Sequence, residues 1–250
     1  QGLVAHYPFN GNANDESGNG NDGIENGDIQ PTADRFGNEN SAYSFDGVDD
    51  YIDTGLKFRT EVVEGFTYCT WIKVEPNYNY GSRQIIGSSS GNQNSSNKTG
   101  RSIDIVESGI VRFNIRSEAG DGALCNSNTD LDDGNWHFIS TVYDGIVGEL
   151  RLYVDADLNS TTSFTGSFED NYNIAIGATD DSGGGCEGLC QYFPGYIDDV
   201  RIYNDIITEE EIIDLYHENN WPTVAQWMFD EMTGSNLSDI TGNGNDGIID

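Results

Sequence analysis

Apolar and polar residues alternate in six stretches of this chain. They are "FTYCTWIKV" (Phe66–Val74), "GIVRFNIRS" (Gly109–Ser117), "WHFISTVYD" (Trp136–Asp144), "ELRLYVDA" (Glu149–Ala156), "YNIAIGA" (Tyr172–Ala178) and "GYIDDVRIY" (Gly195–Tyr203). A period of two sends successive side chains to opposite faces, so each stretch predicts a strand with one buried face. Turns rich in Gly, Asp and Asn, such as "DDGN" and "YDGIVGE", separate them. Many short strands joined in this way predict an all-β sandwich or barrel. One stretch reads as a helix. "TEEEIIDLYHEN" opens with Thr208 as N-cap and Glu211 three residues on, a capping box, and Ile212, Leu215 and Tyr216 share a face. Acidic residues crowd its first turn, where the helix dipole favours them. Residues 77–101 and 179–194 break the alternation and read as long loops.

Composition narrows the partners. The chain has 43 acidic and 11 basic residues, a net charge of -32. Such a surface repels a phosphate backbone and an anionic membrane, so nucleic acid is excluded. It suits divalent cations or simple solubility. No stretch approaches the roughly 18 apolar residues that span a bilayer, so no membrane insertion is expected. Of the four cysteines, Cys186 and Cys190 in "CEGLC" read as a local disulfide, since no second half-site at matching spacing supports zinc. Cys69 and Cys125 then pair with each other or both stay reduced. Sequons stand at Asn94, Asn97, Asn159 and Asn236.

In order along the chain stand "GLVAHYPFNGNANDESGNGNDG", "SFDGVDDYIDTG", "FTYCTWIK", "DDGNWHFISTVYDG", "LRLYVDA" and "FPGYIDDVRIYNDIITEEEIIDLY". This series resembles the LamG-like jelly-roll domains of the concanavalin A-like lectin/glucanase superfamily, over about Gly2–Trp221. The resemblance implies a two-sheet antiparallel jelly-roll sandwich with one short C-terminal helix, its first and last strands close together. It also implies an extracellular carbohydrate-binding or adhesive module of a larger protein, often with bound calcium. Two positions depart from the pattern. His137 stands without the commoner second His, and Ala156 replaces the Gly after "LYVD", which should alter that hairpin.

Calcium takes six to eight oxygen ligands. The stretches "FNGNAND", "FDGVDD" and "IDDV" are rich in such oxygens, and they converge if the terminal strands are neighbours. Alternation puts Asp198 on one face with Val200 and Ile202, and an inward carboxylate needs a partner. A cation fills that role. Asp198 and Asn10 are the leading ligands, with Asn12, Asp46 and Asp49. The competing reading has Asp198 accepting backbone amides of the first strand. For sugars, Tyr78, Tyr80, Arg83, Gln93, Tyr192 and Phe193 lie in or beside the long loops and offer aromatic and planar polar groups. They serve equally well to anchor those loops. Catalysis is not expected. "SIDIVES" (Ser102–Ser108) lacks the first Glu of a Glu-x-Asp-x-x-Glu strand, and Asp104 and Glu107 face opposite ways on a straight strand. Nothing supports a nucleophilic triad.

The ending repeats the beginning. "AHYPFN" (Ala5–Asn10) aligns with "AQWMFD" (Ala225–Asp230), and "DESGNGNDGI" (Asp15–Ile24) with "DITGNGNDGI" (Asp239–Ile248). The expected organisation is therefore a LamG-like domain over 1–221. Residues 222–250 form a linker plus the first strand of a second repeat. That strand either belongs to a tandem array or is donated to a neighbour's sheet, with Trp227 and Phe229 filling core pockets; the tail could also pack on its own domain. The function expected is a calcium-binding extracellular module for glycan binding or adhesion. The alternative is a filament subunit that self-associates through residues 224–250.

Overall fold

The computed structural model describes residues 2–57, 64–77, 79, 81–89, 100–116, 121–166, 173–180, 189–218, 236–237 and 247–248. The chain divides into two compact units, Gln1–Glu209 and Glu210–Asp250.

The first unit is a two-sheet antiparallel sandwich. One sheet contains β1 (Leu3–Tyr7), β3 (Gln30–Thr32), β4 (Ala42–Asp46), β6 (Gly65–Lys73), β11 (Trp136–Asp144), β12 (Glu149–Val154), β13 (Asp157–Ser163) and β17 (Pro194–Tyr203). Its order is β13-β12-β11-β6-β17-β4-β3, with β1 also on β17. The other contains β2 (Ile24–Asn26), β5 (Tyr51–Asp53), β7 (Arg83–Ser89), β8 (Gly100–Ile105), β9 (Val111–Arg116), β10 (Gly122–Asn126) and β14 (Ala175–Ile176), in the order β10-β9-β8-β7-β14-β5-β2. Two short strands, β15 (Thr179–Asp180) and β16 (Leu189–Cys190), pair with each other.

Between the sheets lies one apolar core. Tyr7, Phe9, Phe66, Tyr68, Ile72, Ile86, Ile103, Phe113, Ile139, Leu152, Phe193, Val200 and Ile202 belong to it. These are the alternate positions of the strands, as a half-buried sheet requires. The first and last strands are hydrogen-bonded neighbours, with Leu3 opposite Tyr203 and Tyr7 opposite Val200. The helix α1 (Glu209–His217) follows Thr208 and begins at the boundary between the units; in the second unit β18 (Asn236–Leu237) pairs with β19 (Gly247–Ile248).

The structure bears on three sequence expectations. Residues 77–101 are not all loop: β7 runs through "RQIIGSS", whose Gly and Ser weaken the alternation signal. Cys69 and Cys125 are both free and buried. They cannot pair, because Cys125 points into the core while Cys69 stands opposite Arg201 on the far side of β6. Cys69 Sγ lies 3.3 Å from Ser140 Oγ, and Cys125 Sγ donates to the Leu150 carbonyl at 3.6 Å. Burial pushes the Cys69 thiol up to about 12, so it stays protonated. The third concerns Ala156. The two-residue turn survives without Gly, Val154 pairing directly with Asp157, because Asp155 and Ala156 both take positive φ (52° and 66°). Cys186 lies outside the described residues, as does the side chain of Cys190.

Candidate functional site

Asp198 has a different partner from the cation expected. Its Oδ2 accepts from Arg35 Nη1 at 2.5 Å, and Arg35 comes from the loop before β4, 163 residues away. Both side chains are nearly fully buried, at 6% and 3% exposure. The reason lies in the register of β17 on β6. Asp198 stands opposite Trp71 and Arg201 opposite Cys69, so two residues of β17 face one of β6. That is a β-bulge, and Asp199 takes a positive φ of 50° within it. The bulge reverses the alternation. Val200 and Ile202 face the core, while Asp198 lies on the outer face beside Trp71.

Arg35 is the centre of a buried polar cluster on that outer face. Its guanidinium lies over the rings of Trp71 and Phe36, at 4.6 and 4.5 Å. Asp199 is approached by His6 Nε2 at 2.8 Å, Arg201 Nε at 3.1 Å and Arg35 Nη2 at 3.4 Å. Burial pushes Asp198 up to about 7, against the opposing pull of Arg35. Burial acts on Asp199 in the same sense, but the His6 hydrogen bond and the Arg201 charge outweigh it and hold that carboxyl below its usual range.

The five expected calcium ligands do not converge. Asp46 stands opposite Pro194 at one end of the β4–β17 pairing, whereas Asp198 lies four residues further along β17. Four steps of strand are roughly 13 Å, too far for one ion. A side chain at Gly11 would lie 4.0 Å from the Asn40 carbonyl, so the Asn10–Asn12 turn also sits by the start of β4, away from Asp46. Asn12 Oδ1 accepts from the Asn14 amide at 2.8 Å, which closes that turn on itself.

At the other end, Asp46 and Asp49 are joined by Asp50, which no pattern in the sequence singles out. One carboxylate oxygen from each lies within 4.8 Å of the others. Asp50 is 1% exposed. It accepts from the amides of Asp28 at 2.8 Å and Asp46 at 2.9 Å. Gly27, at φ +81°, allows this approach, since a Cβ there would collide with Asp50. Burial raises the Asp50 carboxyl, and the charges of Asp46 and Asp49 add to the rise. Three clustered carboxylates are hard oxygen donors of the kind calcium takes, and a cation among them would relieve their mutual repulsion. Asp46 and Asp49, both exposed, could hold such an ion, although Asp46 Oδ1 already accepts from the Val48 amide at 2.7 Å; Asp50, holding two amides, braces the loop.

The sugar-site residues divide. Arg83 is on β7, not in a loop, and its Nη1 donates to the Ser82 carbonyl at 3.0 Å. The Gln84 amide donates to the Gln191 carbonyl at 2.8 Å, which brings the backbones beside Arg83 and Tyr192 together. Tyr192 packs on Tyr51 with ring centroids 6.3 Å apart, and Phe193 is fully buried in the core. Tyr78, Tyr80 and Gln93 lie outside the described residues, as do Trp227 and Phe229. Asp104 is bound by Arg112, whose Nε is 3.2 Å from Oδ1 while Nη2 contacts Oδ2. The Ser82 hydroxyl donates to the same carboxylate at 2.5 Å. Glu107 falls beyond the end of β8.

These features define a class: a two-sheet jelly roll with an acidic rim and no paired carboxylates along β8. The sequence matches the family described as Laminin_G_3, concanavalin A-like lectin/glucanases superfamily, over residues 46–213. The chain belongs to that family. No curated protein sequence matches it. Among solved structures it is similar to the receptor-binding domain of botulinum neurotoxin C/D mosaic serotype (14% identity, TM-score 0.65, 87% of this chain and 51% of that one). It is also similar to the binding domain of botulinum neurotoxin DC in complex with SialylT (14% identity, TM-score 0.67, 91% and 54%). The serotype G binding domain is a third (12% identity, TM-score 0.64, 91% and 53%). The chain spans about half the length of these neighbours, and at such identity the likeness is one of fold.

Proposed function

We propose that this chain is an extracellular, non-catalytic glycan-binding module that carries a calcium ion at its rim. Its membership of a lectin/glucanase superfamily carries the glycan reading, and a structural neighbour bound to SialylT supports it. The Asp46–Asp49–Asp50 cluster carries the calcium reading, in place of Asp198 and Asn10. The ion would fix the rim loop and offer coordination to sugar hydroxyls. Against catalysis stands Asp104, neutralised by Arg112 and unable to act with Glu107 as a carboxyl pair. Among the described residues no helix is long and apolar enough to cross a membrane.

The test is a glycan array probed with and without calcium, alongside thermal melts. Calcium should raise the melting temperature; at a hundredfold excess over Kd the gain is about 2.7 kcal/mol. Asp49→Asn should remove most of that gain, while Asn10→Ala should leave it intact. Loss of the gain in Asn10→Ala alone would return the ion to the first-strand loop.

One observation favours the repeat reading of residues 222–250. The side chains that fold the "SGNGNDGI" loop onto β1 are Asp15, Ser17, Asn19 and Asn21; three recur in the tail as Asp239, Asn243 and Asn245, and Thr241 keeps the hydroxyl of Ser17. We take the tail as the opening strand of a second repeat, with self-association as the alternative. Light scattering of the chain with and without residues 224–250 decides between them: a fall in size on deletion favours self-association.

A further inference from the structure

We propose that the outer face of the larger sheet carries a binding platform for a neutral oligosaccharide, formed by Trp136, Lys73, Tyr196, Ser44 and Gln30. The proposal rests on the glycan reading above and gives it a place and a ligand class.

The register aligns these residues in one row. Trp136 stands opposite Lys73, Lys73 opposite Tyr196, Tyr196 opposite Ser44, and Ser44 opposite Gln30. Residues directly opposed across strands share a face. Their neighbours one step along, Ile72, Ile197 and Tyr43, face the core, so this row faces outward. It crosses β11, β6, β17, β4 and β3, four inter-strand steps or roughly 19 Å, which suits a chain of sugars better than a single ring.

The row has the chemistry a sugar needs. The rings of Trp136 and Tyr196 lean toward each other across Lys73, with centroids 6.3 Å apart and planes at 60°. Lys73 Nζ lies 5.0 Å from the Tyr196 ring centre. Aromatic faces receive the C–H face of a pyranose, while an ammonium, a hydroxyl and a carboxamide hydrogen-bond its hydroxyls. All five residues are half-buried or exposed. Two residues along the strands the same face carries Phe138 and Trp71, at 3% and 5% exposure, with Arg35 over Trp71. Among the described residues the platform row has no such cover, although rings of this size are usually sequestered.

Charge selects the ligand. Lys73 is 3.8 Å from Glu75, an exposed pair of little strength, so its ammonium remains available as a donor. Asp46 lies two residues from Ser44 on the same side of β4, and the whole chain carries -32. A polyanionic glycan would be repelled, and a neutral one would not.

The experiment uses the full chain on an array of neutral hexose and N-acetylhexosamine oligosaccharides beside sialylated and sulfated ones. The best neutral binder is then titrated in solution while Trp fluorescence is followed. Trp136→Ala and Tyr196→Ala should each weaken binding about tenfold, and Tyr192→Ala should not. Trp136→Phe keeps a stacking ring and the fold; it should bind within a fewfold and lose the fluorescence response. Neutral-glycan binding that survives Trp136→Ala and Tyr196→Ala would overturn the platform and leave the glycan function standing. Binding confined to acidic glycans would overturn the ligand class. An array with no binding at all would overturn both.

Discussion

His137 shows how much a single side chain can be asked to hold. Its Nδ1 lies 2.9 Å from Asp155 and its Nε2 3.2 Å from Asp133, so each ring nitrogen faces a carboxylate. Both contacts are hydrogen bonds only if both nitrogens carry protons, which is the imidazolium. The Asp155 hydrogen bond leads in raising its pKa, against burial, with Asp133 adding to the rise. A cation whose folded pKa is raised gives stability that is complete below the unfolded value of about 6.5 and is lost as pH rises through the folded value. Melting temperature should therefore fall as pH rises above about 6.5, and Asp155→Asn should flatten that fall. Arg35 gives a second pH effect. Arg35→Met leaves a buried carboxylate unpaired, a loss of about 3–5 kcal/mol when it is charged. Because Asp198 is pushed up to about 7, it can take a proton in the variant, so denaturation should find a smaller loss at pH 5 than at pH 8.

Among the elements, β1 and its following loop explain the repeated motif. β1 pairs with β17 on one side, and on the other the loop 15–21 covers it. Asp15 accepts from the amides of His6, Ser17 and Asn21, each at 2.9 Å. Asn19 and Asn21 donate to the Val4 carbonyl at 3.1 and 2.8 Å, and the Glu16 amide donates to the His6 carbonyl at 2.8 Å. The loop thus satisfies backbone groups that would otherwise invite another strand. Asp15→Ala removes three acceptor bonds and should cost about 2–4 kcal/mol in urea denaturation. The hairpin between β12 and β13 offers the opposite change. Ala156→Gly relieves a left-handed Ala and should stabilise by about 0.5–1 kcal/mol in the same assay.

For the whole molecule, charge is the dominant fact. With -32 on the chain, self-repulsion opposes the compact state and weakens as salt rises. Melting temperature should climb with added NaCl, and a further rise on adding calcium at constant ionic strength would separate site binding from screening. Among the described residues, Arg35, Arg112, Arg151 and Arg201 are tied to carboxylates within the first unit, and Lys73 lies 3.8 Å from Glu75.

Whatever was legible along the chain alone was local or periodic. Alternation located Trp136–Asp144 as a strand to the residue, and the capping box located the start of α1. The ordered motifs identified the jelly roll, and Asp46 and Asp49 stood out because "FDGVDD" is rich in oxygen donors. What escaped was decided by residues distant in the chain. Nothing near "IDDV" announces Arg35, and period-two counting cannot foresee a bulge, so Asp198 was given the wrong face and the wrong partner. The Trp136–Lys73–Tyr196 row has no local signature either, because its members meet through register across strands that are far apart in sequence. Alternation sets which face each side chain of a regular strand takes; only the pairing of strands decides what stands beside it.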